Sequence, residues 1–136
     1  MNRPGVGVLA ILKYNDFILL GQRKGSHGHG EWAFPGGHLE LNELPEECAK
    51  RELLEETNID ISKYTPIELG YTNDIFVTDK KHYITLFFLY NVDQMYTPNL
   101  NEPDKCFQWK WVNKYNMPKP LFLSVKNIIT KNTLLI

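Results

Sequence analysis

The 136-residue sequence has only two cysteines, Cys48 and Cys106, and neither stands in a CxxC spacing. A domain of this length does not need a disulfide staple, so both are expected as reduced thiols in an intracellular protein. Long apolar runs are also missing: nothing approaches the roughly 18 residues of a membrane span. The apolar stretch Gly5 to Leu12 follows Arg3 but soon enters Lys13-Tyr14-Asn15-Asp16. It has no small-residue cleavage site, so it does not read as a signal peptide. These absences predict a cytoplasmic protein with no membrane partner. A basic excess is lacking too, with 15 Lys and Arg against 16 Asp and Glu and a net charge of -1. Affinity for nucleic acid rests largely on cations that neutralise phosphates, so no nucleic-acid partner is expected. A small polyanion held through a metal stays open. No repeat, low-complexity tract or linker divides the chain, and residues 1–136 are expected to form one domain.

What is present is enough for a core: 43% hydrophobic residues, 12% of the chain being aromatic, over a length that can bury them. Val6 to Lys13 and Phe17 to Gln22 read as strands joined at the turn signal Tyr14-Asn15-Asp16. Trp32-Ala33-Phe34 is a short apolar segment stopped by Pro35-Gly36-Gly37. Pro45 to Thr57 reads as a helix, with proline at a first helical position and Ala49 and Leu53 facing the core. Ile67 to Thr78, His82 to Val92 and Phe107 to Val112 read as strands, Asn91 to Lys105 as a loop and Leu121 to Thr130 as a terminal helix. Strands on both sides of a helix, mostly hairpin-connected, place the chain in the α/β class with a mixed sheet between helices.

The chemistry concentrates on the first helix. Glu52, Glu55 and Glu56 share one face within about a turn, a spacing at which like charges destabilise an isolated helix. A divalent cation reverses that balance. An all-oxygen donor set with no His or Cys suits Mg2+, with Mn2+ as a substitute, rather than zinc. Gly36 and Gly37 precede the helix, where a backbone carbonyl can turn toward a metal with no side chain intervening. Glu43 lies within reach of Arg51 across the turn, a pair that would aim the carboxylates.

Gly37, then five residues, Glu43, then seven residues, and Arg51-Glu52-Leu53-Leu54-Glu55-Glu56-Thr57-Asn58-Ile59 together resemble the Nudix box, G-x5-E-x7-R-E-U-x-E-E-x-G-U, where U is aliphatic. The one departure is Asn58 in place of the last glycine, and asparagine is the second choice for a left-handed helix end. Arg3 to Val8, Leu20 to Ser26, Phe34 to Glu40 and Trp109 to Val112 are further similar to the MutT-like nucleoside triphosphate diphosphatases, most of all the thiopurine-nucleotide and dCTP-cleaving branch. The resemblance implies a Nudix-type α/β/α sandwich, a nucleotide substrate, and a homodimer, which is frequent in this branch.

Carried over position by position, Glu52 and Glu56 are the principal metal ligands, and Glu55 is either a ligand or the base for water. The carbonyl of Gly36 or Gly37 completes a metal shell, and Arg51 organises the carboxylates. Arg23 is the phosphate candidate, with Gly37 and His38 near the phosphates. Glu102, with Asp104 as the alternative, is the candidate for a further acid. Phe34, Thr85 and Leu123 fall where the branch lines its base pocket. Close relatives carry a base-packing tryptophan at the place of Leu123, so the pocket is expected to be looser here. Trp109 and Trp111 are read as pointing to opposite faces of their strand, one toward a base and the other into the core. His27 and His29 are read as surface residues of a glycine-bearing loop, and His82 as structural. The activity implied is hydrolysis of a nucleoside triphosphate to its monophosphate and pyrophosphate. The rivals are cleavage of a sugar nucleotide or capped RNA, and a non-catalytic nucleotide-binding module, which the intact carboxylates argue against.

Overall fold

The structure, a computed structural model, describes residues 3–132 and 135–136. Strand β1 (Gly5–Tyr14) turns into β2 (Phe17–Arg23) through Asn15, whose φ of 51° is the left-handed value that a tight hairpin turn requires. The two strands pair only beside that turn, at Lys13 with Ile18 and Tyr14 with Phe17, and then part. β3 (Trp32–Ala33) adds to β2, and β4 (Gly36–His38) adds to β1. Helix α1 (Pro45–Thr57), β5 (Ile67–Phe76), β6 (Lys81–Asn91), β7 (Cys106–Asn113) and α2 (Leu123–Lys131) complete the chain.

The sheet runs β3-β2-β1-β6-β5, with β7 on β2 and β4 on β1. β1 and β6 are parallel from Gly5 beside Tyr83 to Lys13 beside Asn91, and this pairing makes the sheet mixed. Both faces are covered, which is why β1 and β6 read as continuous apolar runs rather than alternating ones. Val8, Ala10, Leu12, Phe88 and Tyr90 meet Cys48, Ala49 and Leu53 of α1 on one face. Ile11, Phe87 and Leu89 meet Val125 and Ile128 of α2 on the other. The α/β/α sandwich is the one expected. Burying a leucine contributes about 1.5–3 kcal/mol, whereas a like-charge pair on a helix costs only some tenths. Leu53 therefore holds α1 on the sheet despite the crowded carboxylates. No helix among the described residues is long and apolar enough to cross a membrane.

Three local expectations need correction. Gly36-Gly37-His38 forms a strand although its residues have little preference for one, because β1 offers it an unpaired edge where β2 diverges. Trp109 and Trp111 do not point to opposite faces: side chains two apart on a strand share a face, and both pack against the α1-side cluster. Helix α2 begins at Leu123 rather than Leu121, because Leu121 bridges to Trp32 instead.

Candidate active site

Helix α1 is closed at both ends by local chemistry. Glu47 accepts the N–H of Leu44 at 2.8 Å, and Pro45 takes a first-turn position whose N–H would lack a partner. At the other end Asn58 has φ 64° and donates its N–H to Leu54 O at 2.9 Å. The side-chain oxygen of Asn58 also accepts from Asn101 Nδ2 at 2.8 Å, and the same amide donates to Glu55 O at 3.0 Å. Asn99 and Asn101 give their backbone N–H groups to Thr57 O and Glu56 O. The loop before β7 thus caps the last carbonyls of α1, a task in which glycine at position 58 would supply no side chain, and this docking carries Glu102 to the site.

Arg51 organises the acids as expected. Its Nε and Nη2 bond both oxygens of Glu43 at 2.7 and 3.1 Å, the planar fork matching the carboxylate. Nη1 reaches Glu52 at 3.0 Å and Glu55 at 3.4 Å, and Nη2 reaches the His38 carbonyl at 3.3 Å. The hydrogen bonds from Arg51 draw the Glu43 carboxyl down to about 2, against about 4.3 for an unfolded chain. A lowered acid stabilises the fold above its unfolded value and loses that contribution as pH falls toward its folded value. The melting temperatures of wild type and Glu43→Gln should therefore differ fully at pH 6 and converge as pH drops from about 4 to 2. A gap that stays constant over that range would remove Glu43 from the ion pair.

Glu56 accepts the Gly36 N–H at 2.9 Å. Burial, with the charge of Glu52 behind it, pushes the Glu56 carboxyl well above the usual range, and burial raises Glu52 also. Gly37 makes room for Glu52: a Cβ there would stand 2.3 Å from the Glu52 carboxyl carbon. Two partly buried carboxylates with incomplete compensation fit a hard divalent cation, which would offset both the burial cost and the repulsion. Among the described residues, no three acid, imidazole or thiol groups already converge at metal-binding distance. Glu55 in particular turns its exposed side chain to Arg51 and stays outside the cleft.

That cleft, about 440 Å³, opens where β1 and β2 part. Arg23, Phe34, Gly36, Gly37, His38, Glu52, Glu56 and Thr85 line it, as does Glu102, while Asp104 does not. Arg23 is desolvated, lies 4.2 Å over the Phe122 ring and donates Nε to His27 O at 3.1 Å. His38 stacks on Tyr83 at 5.4 Å. Trp109 rather than Trp111 lines the cleft, its ring lying against Gly21. His27 is not a surface residue: Asp79 holds its Nδ1 at 2.6 Å, and Phe76 and Phe122 flank the ring at 4.5 and 5.3 Å. His29 packs on Phe107, and His82 bonds Asn73 across the β5–β6 pair.

Leu123 lies outside this cleft, in a separate hollow with Gly28, Val77 and Lys126. Phe122, the extended residue that caps α2, lines the cleft in its place, together with Phe76 and Tyr83. An aromatic residue thus lines the cleft one position before Leu123, although its ring is buried beneath the Arg23 guanidinium. Leu123→Trp should leave base preference unchanged, whereas Phe122→Leu should raise KM about fivefold by removing the ring on which Arg23 rests, a cation–π contact being worth roughly 1 kcal/mol. Steady-state kinetics on two bases would check both, and an unchanged KM in Phe122→Leu would refute that role of the ring.

The NUDIX domain family model matches residues 1–129. An 8-oxo-dGTP diphosphatase of Proteus vulgaris is 43% identical over 56 residues, 41% of this chain, and the match spans 50% of that relative's length. An ADP-ribose pyrophosphatase of Methanocaldococcus jannaschii is 31% identical over 119 residues, 88% of this chain and 68% of the relative. The crystal structure of a MutT NUDIX hydrolase from Burkholderia pseudomallei superposes with a TM-score of 0.86 at 26% identity, covering 96% of this chain and 98% of its own.

Proposed function

Because the chain belongs to the Nudix family, we propose that it is a magnesium-dependent hydrolase that opens the pyrophosphate linkage of a nucleoside triphosphate, leaving the monophosphate and pyrophosphate. The observation that carries this reading is the placement of Glu52 and Glu56 on one wall of a cleft that also holds Arg23 and an aromatic end. Glu52 and Glu56, with Glu102 and the Gly36 carbonyl, would hold the ion, and manganese would substitute for it. Bound there, the ion would neutralise the bridging phosphates and lower the pKa of water. Arg23 takes up phosphate charge, desolvated and therefore strongly felt. Arg51 keeps Glu52 aimed from behind while Glu43 anchors it. Glu55 would have to turn from Arg51 into the cleft to take the proton of the attacking water. The aromatic end of the cleft, where Phe76 and Tyr83 are the less buried rings, would take the base. A homodimer is what the resemblance implies, and a cytoplasmic location is the reading of the sequence, with which two free, buried thiols agree.

A second reading is hydrolysis of ADP-ribose, favoured by the Methanocaldococcus relative that matches 88% of the chain. One experiment separates the two. The protein with magnesium is given deoxynucleoside triphosphates and ADP-ribose in parallel, and products are resolved by chromatography. Monophosphate and pyrophosphate from a triphosphate are expected. Diphosphate with inorganic phosphate would refute the cleavage position, and turnover of ADP-ribose alone would move the assignment to the second reading.

A further inference from the structure

The far wall of the cleft carries a polar group that the hydrolytic chemistry does not use. Asp74 on β5 is fully buried and lines the cleft beside Thr85 of β6. Its Oδ2 accepts the Thr85 hydroxyl at 2.6 Å, and its Oδ1 accepts Asn127 Nδ2 of α2 at 2.8 Å. A carboxylate can only accept, and a hydroxyl has one proton to give. The Thr85 proton is committed to Asp74, so what its oxygen has left for the cleft is lone pairs. Ser124, at the start of α2, also lines the cleft; its Oγ is buried and has no hydrogen-bond partner among the described residues. A buried hydroxyl without a partner points to a group supplied from outside.

We propose that Asp74 is a positioning residue for base specificity: through Thr85 it makes the cleft wall an acceptor, so that a nucleobase with an exocyclic amino group is taken in preference to the oxo base that deamination of it would give. The amino N–H would meet Thr85 Oγ1, and Ser124, free to donate or accept, would serve the neighbouring atom of the base. An oxo group in the amino position would set its lone pairs against those of Thr85, with the Asp74 charge behind them. Sites built to hydrogen-bond one group reject the analogue that cannot reciprocate more strongly than apolar pockets reject a shape change. The inference rests on the nucleotide reading above.

The test measures binding rather than turnover. Titrations of the intact protein with CMP, AMP and GMP identify the tightest ligand, which is then compared with its deaminated counterpart, UMP, IMP or XMP. The amino-bearing nucleotide is expected to bind at least about tenfold more tightly, one hydrogen bond exchanged for a repulsion. Asp74→Asn frees the Thr85 proton and should bring the ratio close to one; Thr85→Val should do the same, while Thr85→Ser keeps the hydroxyl and restores the preference. A generally loosened fold would weaken both nucleotides alike and leave the ratio standing. If Asp74→Asn does not fold, the Thr85 pair decides. A wild-type ratio within twofold, or a ratio that survives Thr85→Val, overturns the inference while leaving the nucleotide reading intact. Absence of binding by every monophosphate, together with no cleavage of any triphosphate, overturns both.

Discussion

Glu56→Gln should reduce turnover by roughly a thousand-fold or more in magnesium and yet leave a protein at least as stable as wild type in chelator. The change is isosteric, and the amide oxygen can still accept the Gly36 N–H, so the contact that seats the side chain survives. What disappears is a charge that is costly to bury and that repels Glu52, which is why both carboxyls are shifted upward. The same charge is what a divalent ion would bind, and loss of the ion's electrostatic role removes most of the catalysis it supports. Thermal unfolding supplies a second readout. An ion that binds only the folded state stabilises it by about 2.7 kcal/mol at a hundred times its Kd. Magnesium should raise the melting temperature of wild type and have little effect on Glu56→Gln, and Glu52→Gln should behave alike. Full turnover by a folded Glu56→Gln protein would sink the metal assignment.

Alanine at each of the two adjacent glycines should fail in different ways. At Gly36 a Cβ would stand 2.1 Å from the Val8 carbonyl oxygen and 2.8 Å from Leu9 Cα, both backbone atoms of β1, and φ is +156°. Nothing there can move without breaking the β1–β4 pairing, and Gly36→Ala should cost on the order of 3 kcal/mol of stability. At Gly37 the obstruction is the Glu52 carboxyl at 2.3–2.5 Å, the far end of a flexible side chain. Gly37→Ala should fold with a melting temperature near wild type but push Glu52 out of place. A displacement of about 1 Å in a catalytic arrangement can cost a hundred-fold in rate, and that is the loss expected. Unfolding curves and kcat on the two variants decide it. A Gly37→Ala enzyme with wild-type kcat would mean that Glu52 is not seated where its role requires.

The parts legible beforehand share one property, that the signal is local. Proline at 45 and the apolar positions 49 and 53 marked α1, and its extent, Pro45–Thr57, is as expected. The spacing of Arg51, Glu52 and Glu56 after Glu43 showed an ion-pair network and paired acids before any distance was known. Asn58 in the left-handed region also followed, from its place at the last glycine of the box and from asparagine being the second choice there. The strands of β1 and β6 were visible as apolar runs, but their parallel pairing was not, because their partners lie some eighty residues apart in sequence.

By itself, then, the sequence determined most of the elements and the carboxylate helix, which follow from side-chain period and from caps that act within a turn, while the family and its sandwich followed from the likeness of Gly37 to Ile59 to the Nudix box. Only the tertiary structure decided which groups meet. It turned Glu55 outward to Arg51, brought Glu102 in through the Asn101 amide, and buried His27 against Asp79. It put Phe122 rather than Leu123 in the cleft, because the residue facing inward depends on where α2 starts, a boundary set by the bridge of Leu121 to Trp32. Asp74 carried no signal in a strand that alternates freely; its partners Thr85 and Asn127 come from β6 and α2, and only packing joins them.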